Sequence, residues 1–271
     1  MIIEYFSFYN EFDMLELKLQ EHSPHVDKFV ITESNRTYNQ IEKPYRLEQQ
    51  WDRYAPWHNR ITYLKFDATG LEAGWPTEEQ QREHGIRNVV PNTEDTVLIT
   101  DLDEFLTKKE FEFIHKHIDD KREILFDMTC YWCFADVVHN RAQKAIAACR
   151  YDKYVDSTTH RRPQKVFQHL DDPFRDTLVR KGGIHLTWMG DRTQFEEKLL
   201  GSIEGYNWSK DRSSDEMWEN KTNNRLFYWK AKFKKSETRH LPLSDNLEFS
   251  STMRDYISKM PNWLLDSKES S

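Results

Sequence analysis

Two carboxylates carry the strongest chemical signal in the sequence. Asp101 and Asp103 follow directly on the apolar run Val97-Leu-Ile99, and alternation along an extended chain turns them to the same side. They converge at the carboxyl end of a buried strand, where open α/β sheets bind ligands. Two adjacent carboxylates repel unless a cation lies between them. Hard divalent ions such as Mg²⁺ or Mn²⁺ prefer oxygen ligands completed by a ligand's phosphates. A solvated acidic loop or a helix cap is the plain alternative, and the strand in front of the pair favours the cation.

The elements that must position this pair alternate in the first half of the chain, the pattern of an α/β sheet. Residues 1–8 read as a strand, followed by Asn10 as an N-cap and a helix to about His22 with Phe12, Leu15 and Leu19 in register. Val26 to Thr32 is a short buried strand ending in the polar cluster 33–37, and Arg60 to Phe66 alternates as a third strand. Pro76 opens a polar helix over 77–90, residues 95–100 form the strand before Asp101, and a helix over about 108–119 follows with Phe111, Ile114 and Ile118 on one face. Two or three strands are expected between 123 and 150, a loop over 157–180, a strand-like segment from Gly182 to Gly190, and a helix from Asp191 carrying Phe195, Leu199 and Ile203. Residues 209–224 have few apolar side chains and read as a mobile connection. Helices near 225–235 and 251–260 and a fraying tail close the chain.

Four segments in this order resemble glycosyltransferase family 17, the bisecting N-acetylglucosaminyltransferases of N-glycans and their relatives. Residues 8–19 with 26–37 look like its N-terminal signature, and Thr96 to Glu104 is similar to its D-x-D-E element. Gly182-Gly-Ile-His-Leu-Thr-Trp188 resembles its G-G-W-H-x-S-W element, and Lys198 stands at the position of a family lysine on the next helix. Ile184 replaces the usual tryptophan, Thr187 a serine, and Phe105-Leu-Thr107 the usual Ile-Pro.

The resemblance implies a single GT-A-like α/β domain over 1–265, a mixed central sheet with flanking helices, and a flexible tail at 266–271. Its Rossmann-like, nucleotide-sugar-binding half would be 1–122 and its acceptor-side half 123–265. It implies a metal-dependent, inverting transfer from a UDP-sugar, N-acetylglucosamine first, to a glycan hydroxyl, with Mn²⁺ or Mg²⁺ neutralising the diphosphate. Asp103 is expected to touch the metal directly, Asp101 the metal or the donor ribose, and His185 to be the third protein ligand or a diphosphate contact. Lys198 and Arg82 are candidates for the diphosphate, and Glu33, Asn35 and Arg36 for the base and ribose at the same sheet edge. The acceptor hydroxyl needs a carboxylate or histidine as base, for which Glu104, Asp191 and Glu216 are candidates by position. Trp188, Trp208 and Trp218 suit sugar stacking or core packing, and the loop over 207–220 suits an acceptor-side lid.

Two other function classes compete. A metal-dependent phosphohydrolase would place Thr or Val two residues after the second aspartate, where Phe105 stands. A non-catalytic glycan-binding protein on a transferase scaffold would have no use for intact Asp101, Asp103 and His185. Composition sets further bounds. With 39 basic against 46 acidic residues, the chain lacks the excess positive charge of a general nucleic-acid binder. Hydrophobic residues make up only 37%, yet 14% of the chain is aromatic, so rings supply much of the core. Cys130, Cys133 and Cys149 are too few for a disulfide framework, and Cys130-x-x-Cys133 lies inside a strand-like run, which favours ordinary core thiols. No stretch approaches a membrane span and the N-terminus lacks a signal-peptide pattern, so a soluble, cytoplasmic protein is expected. On that expectation the N-x-[ST] triplets at Asn35, Asn207 and Asn220 are not glycosylated.

Overall fold

The computed structural model describes residues 1–156, 177–203, 205, 207, 213–223 and 238–265. Strand and helix alternate first: β1 (Ile2–Phe8), α1 (Phe12–His22), β2 (Lys28–Ser34), β3 (Ile61–Phe66), α2 (Trp75–Asn88) and β4 (Thr96–Ile99). There follow β5 (Glu104–Phe105), α3 (Lys108–His117), β6 (Glu123–Trp132), β7 (Val137–Arg150) and β8 (Thr177–Thr187). The described remainder holds α4 (Arg192–Gly201), α5 (Ser214–Asn223), β9 (Thr238–His240) and α6 (Ser251–Ser258).

These strands make one mixed sheet in the order β3-β2-β1-β4-β7-β6-β8-β5, with β9 paired to β7. β1 runs parallel to β2 on one side and to β4 on the other, and β2 is parallel to β3. The chain thus reverses its direction of winding between β1 and β4, and the crevice beyond their carboxyl ends is where such sheets take ligands. Both faces of this half are covered. Ile2, Phe6 and Phe8 of β1 join the large core with Leu15 and Leu19 of α1, whereas Ile3 and Tyr5 pack with Val30, Val97, Ile99 and Ile86 of α2. β4 then pairs antiparallel to β7, and β6 lies between β7 and a parallel β8. The α/β class and the mixed sheet with flanking helices are those expected from the sequence.

The departures have local causes. Asn10 is not the N-cap of α1: Glu11 holds that position, and the Asn10 amide reaches across to the Glu197 carboxylate. The supposed mobile connection over 209–224 contains α5, a helix with Met217 buried and Trp218 packed on Phe195. Residues 177–180 belong to β8 and not to a loop. Leu47–Arg60, to which periodicity assigned no element, is a run of 3-10 turns interrupted at Gln50. Residues 157–176, the helix expected near 225–235, Trp208 and the 266–271 tail lie outside the described residues. All three cysteines are buried free thiols, and burial pushes Cys149 up to about 12. Among the described residues no helix is long and apolar enough to cross a membrane.

Candidate active site

β4 ends at Ile99, and the chain turns through Asp101 to Glu104 before entering β5. The turn is closed by Glu104 N–H donating to the Asp101 carbonyl at 3.1 Å, and Asp101 N–H donates to Glu104 Oε2 at 2.7 Å. Asp103 is braced from the neighbouring strand, since Leu186 N–H donates to its carbonyl at 2.8 Å and Glu104 pairs with His185 in the β5–β8 ladder. The ladder thereby sets the His185 ring beside the Asp103 carboxylate, with Nε2 3.3 Å from Oδ1. Lys198, one turn before the end of α4, places Nζ 2.9 Å from Asp103 Oδ2. On the other side Arg82 of α2 sets Nη2 2.7 Å from Asp101 Oδ1 and also pairs with Glu78 one turn earlier.

Both acids therefore face cations, and the charges couple. Burial alone would raise the Asp103 carboxyl, but Lys198 and His185 outweigh it and hold that group far below the usual carboxylate range. His185 is the mirror case: burial would lower it, and Asp103 raises it well above an ordinary imidazole. The Cys130 thiol, its neighbour across the β6–β8 pair, is hydrogen-bonded to the same ring. For Arg82 too, the acids Asp101 and Glu78 outweigh burial and keep the guanidinium charged, while its Nη1 is buried without a hydrogen-bond partner.

Asp103 and His185 are the two side chains of the set whose spacing could admit a shared ion, provided that the imidazole gives up its proton. Two ligands bonded at about 2.1 Å and at right angles on one ion lie ~3 Å apart, close to the 3.3 Å between Asp103 Oδ1 and His185 Nε2. Among the described residues no three His, Cys, Asp or Glu side chains cluster tightly enough to hold an ion by themselves. Phosphate oxygens are the partners such an ion takes when only one or two protein groups are offered.

The sequence profile of glycosyltransferase family 17 matches residues 1–169, more than half of the chain. The chain belongs to glycosyltransferase family 17. It is therefore an enzyme that transfers a sugar, which removes the phosphohydrolase alternative. No curated protein sequence matches it. Solved structures similar to this family-17 chain include S. aureus TarS 1–349, at 12% identity over 87% of this chain and 76% of that one with a TM-score of 0.41. The same protein in complex with UDP aligns at 12% identity over the same shares with a TM-score of 0.40. A 4-diphosphocytidyl-2C-methyl-D-erythritol synthase aligns at 12% identity over 66% of this chain and 88% of that one, also with a TM-score of 0.40.

The remaining candidates of this transferase divide sharply. Glu33 points into the protein, fully buried, and its two oxygens accept from Lys43 Nζ, Arg46 N–H, Leu47 N–H and the Tyr63 hydroxyl. Those four donors make it the anchor of the 43–47 segment instead of a ligand contact. Glu104 is likewise fully buried and bound to Asp101 N–H, which removes it from reach of an acceptor hydroxyl. Asn35 holds Asp67 and the Ala68 N–H, and Arg36 folds back on the Gln40 carbonyl and Thr69, so both shape the loop at the sheet edge. Asp191 caps α4 by accepting from Gln194 N–H at 3.0 Å, and Glu216 is exposed on α5.

Trp188 is buried in a cluster with Phe195 and Leu199, and its ring lies under the Lys198 ammonium at 5.7 Å. Its φ of 64° is a left-handed conformation that a bulky side chain rarely adopts. Packing and Lys198 explain this ring better than sugar stacking does. Sequence reasoning missed Arg46, which forks onto both oxygens of Glu197 at 3.0 Å beside Lys198 and so ties α4 to the segment that follows β2. It also missed Lys18, which lies buried beneath the turn. Lys18 was readable: it falls on the same helical stripe as Leu15 and His22.

Proposed function

We propose that this transferase moves a sugar, N-acetylglucosamine being the first to test, from a UDP-sugar to a glycan hydroxyl with inversion at the anomeric carbon. The observation that carries the reading is the meeting of Asp101 and Asp103 with Arg82, Lys198 and His185 at the switch point of the sheet. A diphosphate brings negative charge to the site and gains more of it as the leaving group departs, and this set matches both needs. Arg82 and Lys198 are fixed positive groups that stabilise the departing diphosphate without reorganising. Asp103 with His185 would hold Mn²⁺ or Mg²⁺, which supplies Lewis-acid neutralisation of the phosphoryl oxygens when bound. Asp101, more open than Asp103 and tethered by Arg82, faces the donor as a second oxygen group.

In a single displacement the acceptor oxygen forms its bond to the anomeric carbon as the bond to the diphosphate breaks, and the electron pair leaves with UDP. The acceptor proton passes to a base on the 123–265 side, where Asp191 and Glu216 are the exposed carboxylates of the candidate set. The domain halves divide accordingly, with 1–122 binding the nucleotide and 123–265 meeting the acceptor. A nucleotide-sugar hydrolysis screen in Mn²⁺ tests the reading. Slow release of UDP from UDP-N-acetylglucosamine, abolished by EDTA, is expected. Release that ignores chelation would refute the metal role, and turnover confined to another nucleotide would refute the donor.

A further inference from the structure

We propose that Lys18, acting with Glu4 and His22, is a positioning residue that sets the Asp101–Glu104 turn and thereby the donor site; the functional part of this inference rests on the reading above. Lys18 of α1 and Glu4 of β1 are both fully buried. The ammonium has three N–H donors, and three acceptors surround it. They are the Asp101 carbonyl at 2.9 Å, the Glu104 carbonyl at 2.6 Å and Glu4 Oε1 at 3.1 Å. Glu4 Oε1 also accepts from the Thr100 hydroxyl at 2.8 Å, and Glu4 Oε2 lies 2.8 Å from His22 Nδ1. His22 Nε2 accepts from Leu106 N–H at 3.0 Å, so the ring carries its proton on Nδ1 and donates it to Glu4.

The network thus grips the turn segment from below at four points: the Thr100 side chain, the Asp101 and Glu104 carbonyls and the Leu106 amide. The carbonyls that Lys18 holds flank Asp103 on either side. The Thr100 hydroxyl, the two carbonyls and the Leu106 amide face this network, while the Asp101 and Asp103 carboxylates engage Arg82, Lys198 and His185. One side of the turn is therefore committed to the scaffold and the other to the site.

Stability alone does not account for a fully buried ion pair. Replacing such a pair with apolar residues of similar volume is often neutral or stabilising, whereas one use of a buried pair is to specify a geometry. Here the geometry in question is that of two carboxylates whose placement must hold to a fraction of an ångström for a metal and diphosphate to fit.

The test uses the double variant Glu4→Gln with Lys18→Met, which removes both charges and leaves neither buried alone. It is compared with a core variant such as Ile124→Val or Ile124→Ala, chosen to match its loss of stability, well below both unfolding midpoints. Amide hydrogen exchange over residues 101–106 and the Kd for UDP with and without Mn²⁺ are read. Exchange faster by about tenfold, and metal-dependent UDP binding weaker by about tenfold, are expected relative to the matched control, with metal-free UDP binding changed far less. Exchange and affinity equal to the control would overturn the proposal. If the double variant does not fold, Thr100→Val, which removes one hydroxyl, is expected to weaken metal-dependent binding by about threefold, and wild-type behaviour would overturn the proposal. Should the wild-type protein show no metal-dependent UDP binding, the donor reading falls while the exchange comparison still decides the role of Lys18.

Discussion

Replacing Lys198 with alanine moves three quantities in different directions, which makes it a sharp probe of the site. The ammonium sits 2.9 Å from Asp103 Oδ2, with the lysine side chain 21% and the aspartate 12% exposed. Breaking a fully buried pair costs about 3–5 kcal/mol, but His185 remains beside Asp103 Oδ1, so a loss of roughly 1–3 kcal/mol is expected. For a chain of this size that lowers the melting temperature by about 2–10 °C. Binding of Mn²⁺ alone should become tighter, by about fivefold, because a competing cation has left the carboxylate, worth ~1 kcal/mol. UDP binding in saturating Mn²⁺ should weaken by about 10–100-fold, the loss of one charged hydrogen bond to the diphosphate. Calorimetry with the metal first and the nucleotide second separates the two. Unchanged or weaker Mn²⁺ binding together with unchanged UDP affinity would refute the placement of Lys198 between carboxylate and donor.

Two further outcomes follow from the scaffold. Burial would raise the Glu4 carboxyl, but His22, Lys18 and Thr100 hold it down at about 2. A depressed carboxyl contributes stability that is complete above its unfolded value and is lost as pH falls. On the order of 3 kcal/mol should therefore disappear between about pH 5 and pH 2 in chemical denaturation, and be absent from the Glu4→Gln, Lys18→Met variant. Gly183, at φ 88°, has room only for a hydrogen, since a Cβ would come 3.0 Å from Met128 Cγ and 3.1 Å from the Phe105 carbonyl. Gly183→Ala should lower stability by about 1–3 kcal/mol by thermal melting and disturb the β5–β8 ladder that carries His185.

The strand before Asp101 and the helix after it were legible because apolar runs and helical spacing are strong signals there. Glu33 and Glu104 were read as lying beyond their strands, whereas β2 continues to Ser34 and Glu104 opens β5, and both carboxylates turn inward in these buried stretches. Leu47–Arg60 has Pro56 and scattered aromatic residues in 3-10 turns, which leave no period to read. α5 hid for a different reason: among its described residues Met217 and Trp218 are the apolar side chains that pack on the protein, too few to show a period. The partners of Asp103 come from 82 and 95 residues further along the chain, on β8 and α4, and local pattern could not join them; the family resemblance did.

The central claim is that Asp103 holds the donor through a divalent cation. Titration of UDP into the wild-type protein and into Asp103→Asn, each in Mn²⁺ and in EDTA, tests it most directly. The account predicts binding for the wild-type protein in Mn²⁺ that EDTA weakens by about tenfold or more, and an Asp103→Asn variant that remains folded and binds weakly in both buffers. UDP affinity that is the same in all four titrations would contradict it.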